Sequence, residues 1–358
     1  MNKPRVIAFY LPQFHPIPEN DEWWGKGFTE WTNVAKAKPL FRGHYQPRIP
    51  ADLGFYDLRV PEVREQQAEL ARNAGIEGFC YWHYWFDDDK QLLERPFNEV
   101  LASGKPDYPF CLAWANENWY SKSWDKSGTD KILAEQTYKG EKQYTKHFYD
   151  VLPAFKDERY IKVDGKPVFV IYKPLATDDI KIFISVWRRL ANENGIKGIY
   201  FIGHCFNDRE HLNEYRKLDL DAINTCSLKD FTEKRALVTR CVKYIWRHIF
   251  GRPYVISYKK VSERFFDKNA DSANDICPSI ITGWDHTPRS GERGTVFNDE
   301  TPELFGKHVE TVMNNANGEF VFIKSWNEWA EGNYLEPDLK WGTAYLDKLS
   351  QILKDKQK

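Results

Sequence analysis

Two stretches with nearly the same sequence, residues 73–79 (NAGIEGF) and residues 193–199 (ENGIKGI), decide the fold. Each follows a segment whose apolar residues recur at helical spacing, and each leads into an apolar run typical of a buried strand. Gly75 and Gly195 come just after the last helical turn, where glycine commonly ends a helix in a left-handed conformation. Both stretches therefore predict the short helix-to-strand loops of an α/β protein.

Working outward from these loops, we predict strands at eight short apolar runs. The runs cover residues 5–10, 78–82, 110–114, 168–172, 199–203, 222–224, 280–282 and 320–325. Amphipathic segments between them repeat apolar residues at i, i+3, i+4 and i+7 and are predicted to be helices. Apolar strands that alternate with helices indicate a parallel sheet covered on both faces. Eight such units favour a closed (β/α)8 barrel, and no Gly-rich phosphate loop follows any run, which weakens the nucleotide-binding open-sheet alternative.

The domain organisation is predicted to be a single catalytic domain over residues 1–358, with an irregular insertion at about 229–276 between the sixth and seventh strands. No linker, low-complexity tract or clear internal repeat divides the chain. The insertion carries many basic residues. A basic patch there could meet a phosphorylated or acidic partner, but a solvated helix face is the favoured interpretation.

Charge and cysteine content exclude several classes of protein. Lys and Arg number 51 against 52 Asp and Glu. This balance lacks the excess positive charge typical of proteins that bind nucleic acid or an anionic membrane. No apolar run approaches the roughly 20 residues that span a bilayer. The N-terminus shows no signal peptide, so we expect a cytoplasmic protein unless a leader has been trimmed. The six cysteines lack zinc-site spacing and are expected to be buried thiols, and we predict no metal and no cofactor.

Aromatic residues make up 16% of the chain and include 14 Trp. Of these 14, 11 lie at or just beyond predicted strand C-terminal ends, which leaves Trp187, Trp246 and Trp341 on predicted helices. In a (β/α)8 barrel the active site is built at that end of the strands. A large core would spread Trp over both ends, so the distribution favours a cleft that stacks sugars.

The segment at residues 325–332 (SWNEWAEG) carries the most convincing candidate catalytic pair, Glu328 and Glu331. Carboxylates three residues apart converge if the chain turns helically as it leaves the last strand. Glycoside chemistry needs one carboxyl that stays protonated near neutral pH and one that stays ionised, and Trp faces provide the desolvation that raises a carboxyl pKa. A Glu-x-x-Glu spacing alone is common on surface helices. The surrounding Trp, Asn and Gly at the end of the last strand favour catalysis.

Further residues at predicted strand ends are candidates for substrate contact. They are Trp23, Trp24, Glu30, Trp31, His83, Tyr84, Trp114, Asn116, Glu117, Trp119, His204, Trp284, Asp285, Trp326, Asn327, Trp329 and Glu336. For Glu30 and Glu117 a cap or loop ion pair is an equal alternative, and for Asp285 it is the capping of the following turn. One of Trp114 and Trp119 is expected to lie in the core. No His and carboxylate residues show metal-ligand spacing.

Four segments carry a resemblance to a known family. They are residues 9–34 (FYLPQFHPIPENDEWWGKGFTEWTNV), 80–86 (CYWHYWF), 111–119 (CLAWANENW) and 325–338 (SWNEWAEGNYLEPD). They resemble the WbsX-like family, labelled glycosyltransferases of surface-polysaccharide clusters, which is related to the family 99 endo-α-mannosidases. The resemblance runs over nearly the whole chain and implies a (β/α)8 barrel with a retaining glycoside mechanism.

The resemblance also implies roles for the pair. In family 99 the first glutamate of Trp-Asn-Glu-Trp-x-Glu-Gly is the base on the sugar's own 2-hydroxyl, which gives an anhydro-sugar intermediate, and the second is general acid and then base. Carried over, Glu328 becomes the 2-hydroxyl base and Glu331 the acid/base. Family 99 often has His where this chain has Ala330, so subsite contacts there are expected to differ. The same pair also suits a two-carboxylate retaining mechanism.

Three hypotheses follow for a chain whose expected partner is an oligosaccharide or polysaccharide. The first is a retaining glycoside hydrolase that uses Glu328 and Glu331. The second is a glycosyltransferase that builds O-antigen or capsule; the sequence shows neither a phosphate loop nor an unambiguous metal motif for a nucleotide-sugar donor, which modestly favours the first. The third is a non-catalytic carbohydrate-binding barrel, against which two mutually repelling carboxylates argue.

Overall fold

Parallel strands that alternate with helices close into a ring in the computed structural model, which describes residues 3–88, 90–121, 131–228 and 251–355. The barrel strands are β1 (Arg5–Tyr10), β2 (Gly78–Asp87), β3 (Phe110–Trp114), β4 (Lys166–Ile171), β5 (Tyr200–Phe206), β6 (Ala222–Cys226), β7 (Ile276–Ile281) and β8 (Phe320–Lys324). Each strand pairs in parallel with the next in the chain, and β1 pairs with both β2 and β8. The predicted (β/α)8 barrel is confirmed.

Helices occupy the connections between the strands. They are α1 (Pro18–Trp24), α2 (Glu30–Lys36), α3 (Pro61–Asn73), α4 (Arg95–Ser103), α5 (Glu141–Lys156), α6 (Ile180–Glu193), α7 (Leu212–Tyr215), α8 (Tyr258–Ser262), α9 (Lys268–Asp271), α10 (Thr287–Ser290), α11 (Pro302–Asn315) and α12 (Ala344–Asp355). Gly75 and Gly195 follow α3 and α6 with φ of 84° and 79°, so the two repeated stretches form the predicted loops. Gly78 has a packing role, since a Cβ there would lie 2.4 Å from the Pro109 carbonyl oxygen.

Both faces of the barrel strands are buried. Every residue of β3, β7 and β8 is buried, because one face points into the barrel and the other lies under helices. Inside the barrel, the Phe9 ring stacks on Trp82 and Phe322 at centroid distances of 4.9 and 5.0 Å, and His204 approaches it edge-on from β5. Part of the aromatic excess therefore fills the barrel.

Three strands, β2, β5 and β6, run further toward the active-site face than the apolar pattern predicts, and β6 ends at Cys226 rather than at 224. β2 continues to Asp87 because its end pairs antiparallel with a short strand at Lys90–Leu92. β5 continues to Phe206, where it still pairs with β6. The extended parts contain polar residues such as His83 and His204, which interrupt the apolar run although Trp85, Phe86, His204 and Cys205 are buried.

The predicted insertion at 229–276 lies partly outside the described residues, which resume at 251. Its described part contains a strand at Tyr254–Ser257, which pairs in parallel with Thr295–Asn298, and the short helices α8 and α9. It is therefore more regular than its sequence indicates. Residues 251–253 of the basic stretch precede that strand and are not helical.

Two sequence expectations concern burial and membranes. Five cysteines lie within the described ranges, all free and buried: Cys80, Cys111, Cys205, Cys226 and Cys277. Cys241 falls outside those ranges. Among the described residues, no helix is both long enough and apolar enough to span a bilayer.

Candidate active site

A cleft of about 540 Å³ opens at the C-terminal ends of the barrel strands. Eight of the candidate residues line it: Trp24, Glu30, Tyr84, Glu117, Trp119, Trp284, Glu328 and Glu331. These residues lie at the ends of five different barrel strands or in the connections that follow them, so residues far apart in the sequence meet in one cleft. The cleft lies where a (β/α)8 barrel carries its active site.

The two glutamates are brought together by a tight turn after β8. Asn327–Glu328 pairs antiparallel with Asn333–Tyr334, and Trp329–Glu331 between them forms one 3-10 turn. The chain therefore turns helically, as the sequence requires for convergence. Gly332 closes the turn with φ 58°, and a Cβ there would lie 2.7 Å from the Asp285 Cβ, so only glycine fits.

One guanidinium holds the carboxylates of the cleft together. Arg289 Nη1 donates to Glu331 Oε1 at 2.6 Å, and Nη2 donates to Glu328 Oε2 at 3.4 Å. The same Nη2 lies 3.1 Å from Glu30 Oε2. Because all four side chains are largely removed from water, these contacts are weakly screened. The negative charges raise the pKa of Arg289 further above its ordinary value, which keeps it protonated.

The surroundings of the two glutamates differ. Glu331 also faces Lys324 Nζ at 3.8 Å and lies 3.9 Å from His286 Nε2, so Lys324 and Arg289 both place positive charge beside its carboxylate. Burial, followed by the charge of Glu331, raises the pKa of Glu328 to about 7. The surroundings therefore favour a proton on Glu328 and a negative charge on Glu331. This is the charge pattern that glycoside chemistry requires.

Glu30 and Glu117 are ion-paired and also line the cleft. Glu30, at the start of α2, contacts Arg289. Glu117 forms an ion pair with Lys173. Each of the two glutamates thus forms an ion pair and also lines the cleft, so the two interpretations raised by the sequence are both correct for each residue.

Four tryptophans provide aromatic surface to the cleft: Trp24, Trp82, Trp119 and Trp284. Trp284 stacks on His286 with a centroid distance of 5.8 Å and an interplanar angle of 16°. The ring of Trp119 packs edge-on against Tyr84. Flat faces beside hydrogen-bonding groups suit a sugar ring.

Other candidate tryptophans lie in the core beneath the cleft. Trp114 is 1% exposed and donates from Nε1 to the Trp85 carbonyl oxygen at 2.9 Å, so it is the core member of the pair with Trp119. Trp31, Trp326 and Trp329 are also buried. Trp23 does not line the cleft and packs edge-on against Trp119. Trp124 and Trp246 fall outside the described residues. Some tryptophans at the strand ends thus form the wall of the cleft, and others form the buried layer that supports this wall.

Two candidate asparagines fasten loops. Asn116 Oδ1 accepts from the Lys173 backbone N–H at 2.7 Å, and its Nδ2 donates to the Lys173 carbonyl oxygen at 2.9 Å. Asn327 makes the same two-way contact with the backbone of Leu11, at 2.7 and 3.0 Å. Both side chains are fully buried, so the structure places them behind the cleft wall rather than on it.

Two candidate histidines pair with partners away from the cleft. His83 Nε2 lies 2.9 Å from His147 Nε2, and burial lowers the pKa of His83 to about 4. His204 Nδ1 lies 2.5 Å from Asn224 Oδ1, and burial lowers its pKa to about 3. Both rings are therefore neutral at physiological pH, and neither lines the cleft.

Asp285 caps a turn, as its alternative interpretation predicts. Its Oδ1 accepts from the Thr287 backbone N–H at 3.0 Å, and its Oδ2 lies 2.7 Å from His44 Nε2. Hydrogen bonds and nearby cations hold the pKa of Asp285 at about 2 despite burial. The Asp285 backbone N–H donates to the Glu331 carbonyl oxygen at 2.6 Å, which fixes the turn that carries the catalytic candidate.

Glu336 supports the same turn from below. Its carboxylate accepts from Trp329 Nε1 and Gln67 Nε2, each at 2.6 Å, and from the Tyr56 hydroxyl at 2.8 Å. Burial raises the pKa of Glu336 to about 7. It therefore positions Trp329, next to Glu328, and does not reach the cleft.

Sequence reasoning missed the cations of the site. Arg289 belongs to the Trp-rich connection after β7, and its position beside a predicted strand end was the available clue. Lys324 ends the otherwise apolar strand FVFIK and is 6% exposed, and a lysine at that place indicates a buried charged partner. His286 and Trp82 also line the cleft.

A group of side chains with metal-ligand geometry in the described part of the chain consists of Asp208, Glu210 and His211. His211 Nδ1 contacts Asp208 Oδ1 directly. None of the three lines the cleft.

Comparison with protein families and curated proteins gives a consistent result. The family model described as Glycosyltransferase WbsX matches residues 6–349. Two proteins of Xanthomonas campestris pv. campestris, from strains B100 and ATCC 33913, each described as "Uncharacterized protein WxcX", are 35% identical over 362 and 357 residues. Each alignment covers 97% of this chain and 49% of the relative, so the chain spans about half the length of these curated relatives.

Solved structures share the fold at low sequence identity. A GH99 endo-α-mannosidase from Bacteroides thetaiotaomicron superposes with a TM-score of 0.60 at 15% identity, over 99% of this chain and 97% of that one. A structure described as a glycoside hydrolase-like protein gives 0.59 at 15% identity, over 98% and 94%. At this identity the likeness establishes a common barrel fold.

Proposed function

The chain belongs to the WbsX glycosyltransferase family, and from this premise we propose that it is a retaining glycoside hydrolase that cleaves an oligosaccharide or polysaccharide. Glu328 and Glu331 are its catalytic residues. The observation that carries the proposal is the shared contact of both carboxylates with Arg289 in an open, Trp-lined cleft, where burial and the charge of Glu331 raise the pKa of Glu328 to about 7. One protonated and one ionised carboxyl at close range is the arrangement of retaining glycosidases.

The roles follow the family resemblance. Glu328 accepts the proton of the substrate's 2-hydroxyl as that oxygen attacks the anomeric carbon, while Glu331 gives its proton to the departing glycosidic oxygen. Water then opens the anhydro sugar, Glu331 takes the water proton, and Glu328 returns its proton to the 2-oxygen. The pair holds one proton throughout. Since burial and the charge of Glu331 raise the pKa of Glu328 to about 7, substrate binding has to favour a proton on Glu331 before the first step.

The two-carboxylate retaining mechanism uses the same residues in the opposite sense. Protonated Glu328 would donate to the leaving oxygen and ionised Glu331 would attack the anomeric carbon. The protonation state of the free protein favours this variant, and the resemblance favours the first. Both variants give the same products with retained configuration.

The family description makes glycosyl transfer the second candidate function. A nucleotide-sugar donor requires cations that are available for its diphosphate. Among the described residues, each Lys or Arg that lines the cleft already faces a carboxylate: Lys173 faces Glu117 and Lys324 faces Glu331. Arg289 faces Glu30, Glu328 and Glu331. This pairing supports a reaction that needs no nucleotide.

The direct test is sugar release from a panel of bacterial polysaccharides, with and without nucleotide sugars. We expect reducing ends to appear without a nucleotide, and expect Glu328→Gln and Glu331→Gln each to lower the rate by at least about 100-fold. Glu310→Gln, an exposed position on α11, is the matched control and should leave the rate unchanged. Wild-type rates in both cleft variants would exclude Glu328 and Glu331 as the catalytic residues. A strict need for nucleotide sugar would establish glycosyl transfer. Binding of glycan without turnover would establish a non-catalytic binding barrel.

A further inference from the structure

A second groove lies outside the cleft, between residues 41–48 and the paired strands Tyr254–Ser257 and Thr295–Asn298. It consists of two adjoining cavities of about 280 and 320 Å³ that share Arg42 and Asn298 in their walls. Neither cavity shares a residue with the catalytic cleft. The groove is therefore a separate concave surface large enough for a sugar residue.

The groove carries two arginines that form no ion pair with a carboxylate among the described residues. Arg42 and Arg252 line the first cavity, both are exposed, and within the described ranges neither side chain forms a hydrogen bond or ion pair. Lys340 adds a third positive charge in the second cavity. Of the two acids there, Glu300 is bound by Arg48 at 2.6 Å, which leaves Asp299. The Lys340 ammonium lies 4.7 Å from the Tyr45 ring centroid and 4.6 Å from that of Trp341. In the catalytic cleft, by contrast, each Lys and Arg among the described lining residues faces a carboxylate.

Aromatic rings lie beside these cations. Phe41 lines the first cavity and stacks on His44 with a centroid distance of 4.4 Å and an interplanar angle of 8°. Tyr254 lines the same cavity, and Tyr45 lines the second. Arginine forks bind planar anions in pairs of hydrogen bonds, and rings pack against the apolar faces of sugars. The combination suits a sugar that carries a negative charge.

We propose that this groove binds an acidic sugar residue, whose carboxylate or phosphate is held by Arg42 and Arg252 while its ring packs on Phe41 and Tyr254. That the anion is carried by a saccharide rests on the proposed function. Arg252 is the residue of the basic stretch that would contribute to this glycan subsite. The substrate class is accordingly an acidic polysaccharide.

The wall of the groove is joined to the catalytic turn. His44 lines the second cavity, and since its Nδ1 accepts from the Leu40 backbone N–H, its Nε2 donates to Asp285 at 2.7 Å. The Asp285 backbone N–H in turn donates to the carbonyl oxygen of Glu331. One layer of side chains thus separates the groove from the catalytic pair, which places the acidic residue away from the bond that is cleaved.

The test is calorimetric titration of the Glu328→Gln protein, which cannot turn substrate over, with trigalacturonate, neutral maltotriose or inorganic phosphate. We expect saturable binding of trigalacturonate that is at least about tenfold tighter than that of maltotriose. Arg42→Gln and Arg252→Gln should each weaken it about tenfold. Arg95→Gln, which removes one exposed positive charge on α4, is the matched control and should have no effect.

The outcomes distinguish a sugar carboxylate from a phosphate as the bound anion, and they test the groove proposal separately from the proposed hydrolase function. Arginine-dependent binding of phosphate alone, with none of trigalacturonate, would assign a phosphorylated sugar. Equal binding of maltotriose, binding that survives both arginine substitutions, or no binding of either anion would overturn the groove proposal. Arginine-dependent binding by a protein that cleaves no glycan would leave the groove standing and refute the hydrolase.

Discussion

Replacement of Arg289 by Met is the perturbation that tests the electrostatics of the site without knowledge of the substrate. Its guanidinium contacts the buried carboxylates of Glu30, Glu328 and Glu331 at 3.1, 3.4 and 2.6 Å. Met fills a similar volume and removes the charge. The carboxylates would then be left with Lys324, whose Nζ is 3.8 Å from Glu331. Breaking a buried ion pair in this way costs about 3–5 kcal/mol.

The cost should depend on pH, with a sign that follows from Glu328. Its folded-state pKa of about 7 exceeds the ordinary value of 4.5, so the native state binds more protons and loses stability as pH rises through that interval. Without Arg289 that pKa rises further. Each added unit costs about 1 kcal/mol at pH 8 and almost nothing at pH 5, where Glu328 is protonated in both proteins. The deficit at pH 5 comes from Glu30 and Glu331 alone.

Urea unfolding at pH 5 and pH 8 measures this difference. We expect Arg289→Met to lose at least about 1 kcal/mol more of its free energy of unfolding at pH 8 than at pH 5, relative to wild type. Arg289→Lys keeps the charge and is the matched control, which should show a smaller pH-dependent loss. An equal deficit at both pH values, or identical behaviour of the Lys and Met variants, would refute the assigned electrostatics.

Three further predictions concern the pair and its turn. The kcat/KM of a cleaved glycan should fall as pH rises through about 7, because the pair then loses its shared proton; a profile flat from pH 6 to 9 would contradict this. If Glu331 is the acid, Glu331→Gln should keep substantial activity on an aryl glycoside with a good leaving group while Glu328→Gln stays inactive, whereas the reverse pattern would assign the acid to Glu328. Gly332→Ala should destabilise the protein by more than the roughly 1–2 kcal/mol expected for left-handed backbone alone, because its Cβ would lie 2.7 Å from the Asp285 Cβ. Gly27→Ala is the control, since Gly27 has φ 80° and no atom within 4 Å of an added Cβ. Equal losses of stability in thermal or urea unfolding would show that the contact with Asp285 is tolerated.

The barrel could be predicted from the sequence because its strands are buried on both faces. A fully buried strand such as Phe320–Lys324 leaves an unbroken apolar run that is hard to mistake. The ends of β2 and β5 could not be placed, because polar His83 and His204 interrupt the apolar runs and the strands continue through pairing with their neighbours. Pairing partners are not visible in the local pattern.

The catalytic pair could be predicted because its residues lie three apart on one turn. Which rim residues face the cleft could not, because a strand end presents alternate side chains to opposite sides. Trp329, directly after Glu328, is buried on Glu336, while Trp284 faces the cleft. The choice depends on turn geometry, which long-range contacts such as that between Asp285 and Glu331 determine.

Arg289 shows what single-sequence reasoning lacks most. Its importance comes from three carboxylates contributed by α2 and by the turn after β8, and no local motif links them. In the sequence, Arg289 is one of 51 Lys and Arg residues, and the composition does not distinguish it from the others. Only the closed barrel brings the connection after β7 beside the start of α2.

The most direct measurement of the central claim is the anomeric configuration of the first product, followed by proton NMR during the first minutes of cleavage, before mutarotation. A retaining pair, whether it acts through the 2-hydroxyl or through a glycosyl-enzyme, predicts that the released sugar keeps the configuration of the bond that was cut. An inverted first product would contradict the account, because it would require Glu328 and Glu331 to act across a water molecule and not as a retaining pair.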